Sequence, residues 1–108
     1  MSTSSRPQNE PHIVHEPERR RFEIFVDDTR VGHASYRDEP GRRVFTHTEI
    51  DPAFEGRGLG GRLAAFALDE TRAENLRVVP VCSFIAGYIE RHPEYRELVD
   101  PVHRERSS

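Results

Sequence analysis

The chain has 108 residues, 34% of them hydrophobic and 32% charged, with a formal net charge of -3. That length fits one domain and leaves no room for a second, and the low apolar share puts part of the chain outside any core. A nucleic-acid binder of this size should be basic, so no nucleic-acid partner is expected. All 16 basic residues are Arg, which excludes Schiff-base chemistry through Lys. A single cysteine, Cys82, rules out an intramolecular disulfide and a multi-cysteine metal cage. No apolar leader and no run near the ~20 apolar residues of a membrane helix is visible. The expected location is therefore a reducing cytoplasm, without a membrane partner.

In chain order, residues 1–12 read as a disordered tail, 13–100 as one domain and 101–108 as a flexible C-terminal tail. Phe22 to Val26 is rich in strand formers. Asp27 to Arg30 supplies turn residues, and Val31 to Arg37 reads as a second strand with Val31, His33, Ser35 and Arg37 on one face. After the turn signal Asp38-Glu39-Pro40-Gly41, Val44 to Ile50 reads as a third strand. Such short loops imply an antiparallel meander.

Beyond Asp51-Pro52 the period changes. Leu59, Leu63, Phe66, Ala67 and Leu68 fall on one side of a helix, and Asn75 is a stop signal. Arg77 to Val81 reads as a short buried strand, with Pro80 marking an edge or a bulge. Ser83 can cap a second helix that packs Phe84, Ile85, Tyr88 and Ile89 inward and ends before Pro93. Arg91-His92-Pro93-Glu94-Tyr95 reads as a helix stop with an aromatic anchor. The expected order is β-β-β-α-β-α, an α/β (α+β) class with a mostly antiparallel sheet.

The turn Glu55-Gly56-Arg57-Gly58-Leu59-Gly60-Gly61 sits between a strand and an amphipathic helix. Its glycines allow close backbone approach, and the helix adds free N–H groups and its positive end, which suits a phosphate or pyrophosphate. A tight packing turn is the alternative. Gly56, Gly58 and Gly61 satisfy G-x-G-x-x-G literally, but the strand ends too early and no acidic residue closes the next one, so a dinucleotide fold fails. A Walker loop needs Lys and fails too.

The turn resembles the phosphate turn of the GCN5-related N-acetyltransferase (GNAT) family, Gln/Arg-x-x-Gly-x-Gly/Ala between a strand and a helix. Gly58 and Gly60 match it, and Glu55 departs from the usual first residue. His47-Thr48-Glu49, Val78-Val79-Pro80-Val81-Cys82 and Arg91-His92-Pro93-Glu94-Tyr95 extend the likeness to a small subfamily of short acetyl-CoA-binding domains. The resemblance implies a minimal GNAT fold lacking the two helices after the first strand, since only Asp27 to Arg30 separate the first two strands. Their loss leaves the acceptor wall open, or completed by a partner protein or a second copy. It also implies acetyl-CoA as cofactor, held by Ile50 and by Glu55, Gly56, Arg57, Gly58, Leu59, Gly60 and Gly61, with an unidentified small or peptidyl amine as acceptor.

Transfer of an acetyl group to an amine needs a base, a polarised carbonyl and a proton for the leaving thiolate. Glu49 and His47, two apart on one strand, share a face near the expected acyl group and are the candidate bases. Pairing with solvent or an Arg is the alternative. Cys82, at the start of the second helix, is a candidate nucleophile or a small buried hydrophobe. Tyr88 falls where relatives place a tyrosine that protonates the thiolate, and it also lies on the core side of its helix. His47-Thr48-Glu49 with Pro80 and Cys82 resembles a zinc deaminase signature, but the second Cys ligand is missing. The other histidines read as scattered, so no metal is expected. Three functions follow: an acetyl-CoA-dependent N-acetyltransferase, a non-catalytic acyl-CoA-binding module, or an interaction domain with structural glycines.

Overall fold

The computed structural model describes residues 10–101. Five strands, β1 (His12–Glu16), β2 (Arg21–Val26), β3 (Thr29–Glu39), β4 (Arg42–Ile50) and β5 (Arg77–Pro80), form one sheet in the order β1-β2-β3-β4-β5. The first four pair antiparallel, and β5 joins β4 in parallel. Helix α1 (Leu59–Ala73) makes the crossover from β4 to β5, and α2 (Ser83–Arg91) follows β5. The mixed α+β class is as expected, but the order is β-β-β-β-α-β-α: one strand more than the sequence indicated.

The additional strand, β1, begins at His12, inside the segment expected to be a tail. Residues 1–9 and 102–108, the rest of the two expected tails, lie outside the described residues. His12–Glu16 carries no clean alternation because it is an edge strand paired only to β2. Its order comes from cross-strand contacts: His15 stacks on Phe22 at 4.2 Å and His12 on Phe25 at 5.3 Å between ring centroids. Neither contact is legible in the local pattern.

The connections are short. Pro17–Arg19 forms a single 3-10 turn between β1 and β2. Asp27 and Asp28, at φ 51° and 68°, form the two-residue turn between β2 and β3, the left-handed pair of a type I′ hairpin. Neither connection has space for a helix. In β3 the expected face does not hold together: Val31, Ala34 and Tyr36 are buried, while His33 and Ser35 are half-buried and Arg37 is exposed. The break is at Val31: Ile24 of β2 pairs with Gly32 and Phe25 with Arg30, so Val31 is the extra residue of a bulge and turns to the buried side, while Gly32 to Arg37 alternate.

One core joins Phe22, Ile24 and Phe45 of the sheet to Leu63, Ala67 and Leu68 of α1 and Ile85 of α2, all fully buried. Both helices therefore cover one face of the sheet. The other face is polar, and register places Glu23, His33 and Glu49 in one row across β2, β3 and β4, with Arg21, Ser35 and His47 in the next.

Helix α1 stops where the sequence indicated. Asn75 takes a left-handed φ of 62°, its N–H bonds to the Arg72 carbonyl at 2.9 Å, and the Leu76 N–H bonds to the Thr71 carbonyl at 3.1 Å. This is the paired closure of a Schellman motif. Asn75→Ala should cost about 1 kcal/mol in a denaturant titration, because Ala is disfavoured in this backbone region, while Asn75→Gly should cost nothing. A loss on the glycine variant too would assign the effect to the amide rather than to φ. Strand β5 is an edge strand, which tolerates Pro80 at its last paired position. The chain after α2 returns along its start: Tyr95 donates to Asp69 at 2.8 Å, and Val99 bridges to Val78. The segment Arg91 to Tyr95 thus docks as expected.

His15 couples this fold to pH. Its Nε2 lies 2.6 Å from the Tyr36 hydroxyl, and burial first, then Arg43, holds its pKa below the ordinary 6.5 against the opposing pull of Glu74. The folded chain therefore favours the neutral ring. That contribution is complete above pH 6.5 and is lost as pH falls through the lower folded value. The melting temperature should decline from about pH 7.5 to 5.5, and His15→Phe should flatten part of that slope. An unchanged slope would remove His15 from the account.

Candidate functional site

Strand β4 outlasts β5. Pairing runs from Arg42–Arg77 to Phe45–Pro80, and its final tie is the Cys82 N–H to the Phe45 carbonyl at 2.9 Å. The chain then turns into α2, so β4 from Thr46 onward parts from its parallel neighbour. At the far end of β4, the Asp51 side chain accepts the Ala53 N–H at 2.9 Å and caps a short 3-10 turn, Pro52–Phe54.

The glycine turn follows. Gly56 and Gly58 have φ of 83° and 77°, and a Cβ built at either meets no atom within 4 Å. Both stand at open positions that only glycine enters without strain. Gly58 is the N-cap of α1, and no side chain caps that end. The first return bond at the turn is the Arg62 N–H to the Gly58 carbonyl at 3.2 Å. The N–H groups of Leu59, Gly60 and Gly61 thus precede any intrahelical acceptor. Gly60 serves a second purpose. A Cβ on Gly60 would lie 2.5 Å from Phe84 Cζ, and one on Gly61 would lie 3.7 Å from Tyr88 Cε1. Gly60 lets α2 approach α1 closely, whereas a methyl at Gly61 would make an ordinary van der Waals contact.

Between these elements lies a cavity of about 500 Å³, within the range of small-molecule sites. The end of β4, the turn, the start of α1 and the ring of Phe84 form its wall. The fit to a pyrophosphate-bearing cofactor is good: free N–H donors at a positive helix end, two unobstructed glycines, and apolar surface from Phe54, Leu59 and Phe84 beside them.

Of the residues expected to hold the cofactor, Ile50, Glu55, Gly56, Gly58, Leu59, Gly60 and Gly61 line this cavity. Arg57 is not in the lining; its guanidinium lies over the Phe54 ring at 4.8 Å. Of the expected chemical residues, Glu49 lines the cavity, whereas His47, Cys82 and Tyr88 stand outside its lining. His47 Nε2 is 3.4 Å from Glu49 Oε1, on an exposed part of β4. The Cys82 thiol is buried and donates to Thr48 Oγ1 at 3.3 Å. Alternation along β4 puts Thr48 on the opposite face from His47 and Glu49. Cys82 therefore does not share a face with the two candidate bases. Cys82, not Ser83, occupies the N-cap of α2, and its side chain makes no capping bond. Tyr88 stacks on His92 at 3.9 Å, and burial raises its hydroxyl above the ordinary phenol pKa.

Sequence reading missed Thr48, Phe54 and Phe84 as site residues. Phe84 carried a signal, since an aromatic facing a glycine pair on the next helix marks a close crossing. His33 was grouped with scattered histidines. Register sets it opposite Glu49, with its ring 5.7 Å from that of His47, and burial, then Arg21 and Arg30, lowers its pKa.

A mostly antiparallel sheet whose parallel strand pair parts beside a glycine turn at a helix N-terminus defines an acetyltransferase-like fold. Residues 21–98 match the model of the GCN5-related N-acetyl-transferase family, and the chain belongs to that family. The family generally uses acetyl-CoA and an amine acceptor. The chain is 29% identical over 93 residues to Protein NATD1 of Homo sapiens, covering 82% of each chain. It is 28% identical over 99 residues to Protein NATD1 of Xenopus tropicalis, covering 88% of this chain and 91% of that one. Its fold is similar to the NMR solution structure of a GCN5-like protein from Staphylococcus aureus, with a TM-score of 0.65 and 21% identity over 82% and 87% of the two chains.

Proposed function

We propose that this chain binds acetyl-CoA in the cavity beside β4 and transfers its acetyl group to a small or peptidyl amine. The observation that carries the reading is the uncapped start of α1, where two open glycines of positive φ face a cavity of about 500 Å³. The N–H groups of Leu59, Gly60 and Gly61 hold the pyrophosphate, and Phe54 and Phe84 cover the apolar length of the ligand. Bound there, acetyl-CoA supplies an acyl thioester. Glu49, with His47 beside it, takes the proton that the amine loses as its nitrogen bonds to the acyl carbon. The carbon–sulfur bond breaks, and the thiolate takes up a proton, for which Tyr88 is the donor in this reading. Cys82 offers a covalent alternative through its thiol. Its free state suits a reducing, cytoplasmic setting.

A second reading is an acyl-CoA-binding module without turnover. Two observations favour it. The connections after β1 and β2 are too short for helices that would wall an acceptor site, and Cys82 is on the other face of β4 from Glu49. A partner protein or a second copy would have to complete that wall in either reading. Calorimetry with CoA tests binding. Acetyl-CoA incubated with a panel of amines, with release of free thiol as readout, tests transfer. Mass spectrometry for acetyl on Cys82 tests the covalent route. Binding without release on any amine and without acetyl-cysteine would decide for the module. Absence of binding would overturn both.

A further inference from the structure

On the polar face of the sheet, away from the two helices, His33, His47 and Glu49 form a group that the acyl-transfer chemistry does not require as a unit. Each offers one ligand atom, and the three atoms lie within 4.8 Å of one another. The backbone determines this. His47 and Glu49 are two apart on β4 and share its face, and His33 is the register partner of Glu49 on β3. Strands hold all three, and a strand ladder fixes positions better than a loop does. We infer that these residues form a binding site for a divalent transition-metal cation of the zinc class.

Two features support the assignment. A tetrahedral centre with bonds near 2.0–2.1 Å puts neighbouring ligand atoms about 3.4 Å apart. His47 Nε2 and Glu49 Oε1 already stand at 3.4 Å. The third atom, from His33, lies within 4.8 Å of the other two. Two imidazoles and one carboxylate select zinc, cobalt, nickel or copper over magnesium or calcium, which prefer all-oxygen shells. Arg21 and Arg30 stand nearby and share one carboxylate, Glu23, the partner of His33 on its other side, at 2.8 Å and 3.5 Å, so a cation here is bound against one positive charge. His33 is half-buried while His47 and Glu49 are exposed, so the outer coordination positions open to solvent.

The site has one consequence that rests on the proposed function. A cation held here occupies the lone pairs of His47 and Glu49, the groups that would take the amine proton. Metal binding and acetyl transfer then exclude one another, while CoA binding at the glycine turn is untouched.

The test is a titration of the metal-stripped full chain with cobalt(II), followed through its visible absorption, and then displacement by zinc. One cobalt should bind with the spectrum of a nitrogen- and oxygen-ligated centre. His33→Ala, His47→Ala and Glu49→Gln should each weaken binding by at least about tenfold, and His12→Ala should not, with circular dichroism confirming that each variant is folded. An absent cobalt spectrum, or one that survives His33→Ala and His47→Ala, would overturn the site. Calorimetry with CoA on the same sample separates the two ideas: cobalt binding without CoA binding sinks the acyltransferase reading and leaves the metal site standing.

Discussion

Gly58→Asp should reduce CoA affinity by roughly 100-fold or more while the chain stays folded. Gly58 has φ 77°, a Cβ built there meets no atom within 4 Å, and the residue lines the cavity, so a side chain added there stands beside the expected ligand without a clash at its Cβ. Asp is among the few residues that tolerate this backbone region, which keeps the structural cost near 1 kcal/mol or below. A carboxylate about 4 Å from a bound phosphate costs about 4 kcal/mol at the dielectric of a protein surface, and that exceeds the hundredfold threshold of about 2.7 kcal/mol. Gly58→Asn has the same shape without charge and should lose much less. Isothermal calorimetry on the three proteins, with melting curves as the folding control, decides the matter. Equal affinity in all three would move the pyrophosphate away from this turn. Gly60 is a poor substitute for this experiment. A Cβ there is 2.5 Å from Phe84 Cζ, so its variants unsettle the contact between α1 and α2, and lost binding would not report on the ligand.

Phe45→Ala should be severely destabilising, at about 3–5 kcal/mol. The ring is fully buried, 6.3 Å from Phe22 and 6.0 Å from Tyr36 between centroids. A cavity left there opens under both helices. For a domain of this size, about 4–8 °C is lost per kcal/mol, so the melting temperature should fall by about 15 °C or more. A drop of a few degrees would mean that neighbouring side chains collapse into the space. The effect reaches the site, because the Phe45 carbonyl accepts the Cys82 N–H where β4 and β5 part.

What the sequence revealed and what it hid divide along a physical line. The meander from Phe22 to Ile50, the amphipathic α1, the stop at Asn75 and the short strand β5 depend on local signals: turn residues, period and caps. They were legible for that reason. The glycine turn was legible as an open helix start because glycine spacing and the onset of the helical period are written in consecutive residues. β1 was not, since His12–Glu16 is ordered by rings on a neighbouring strand. The division of labour among the glycines was hidden too: Gly56 and Gly58 are open, while Gly60 is packed against Phe84, and only the position of α2 separates them. Likewise His33 meets His47 and Glu49 through strand register, and Cys82 meets Thr48 instead of Glu49 through the phase of β4. Each of these is a property of pairing, which consecutive residues do not record.

The junction between β4 and β5 has a further consequence for how the molecule breathes. The strands up to β4 join through tight turns, whereas β5 reaches its place only after the whole of α1 has been laid down. Closing that long loop costs more chain entropy than any hairpin here. The strand that closes it is four residues long and lies at the edge of the sheet. We expect amide protons of β5, and the Cys82 N–H that ends its pairing, to exchange with solvent before those of β2 and β3. Slower exchange in β5 than in β2 would contradict this. The wall of the cavity built by α2 is thus attached through the weakest seam of the sheet. A ligand that touches both β4 and Phe84 would act as a clasp across that seam, slowing its opening in proportion to occupancy.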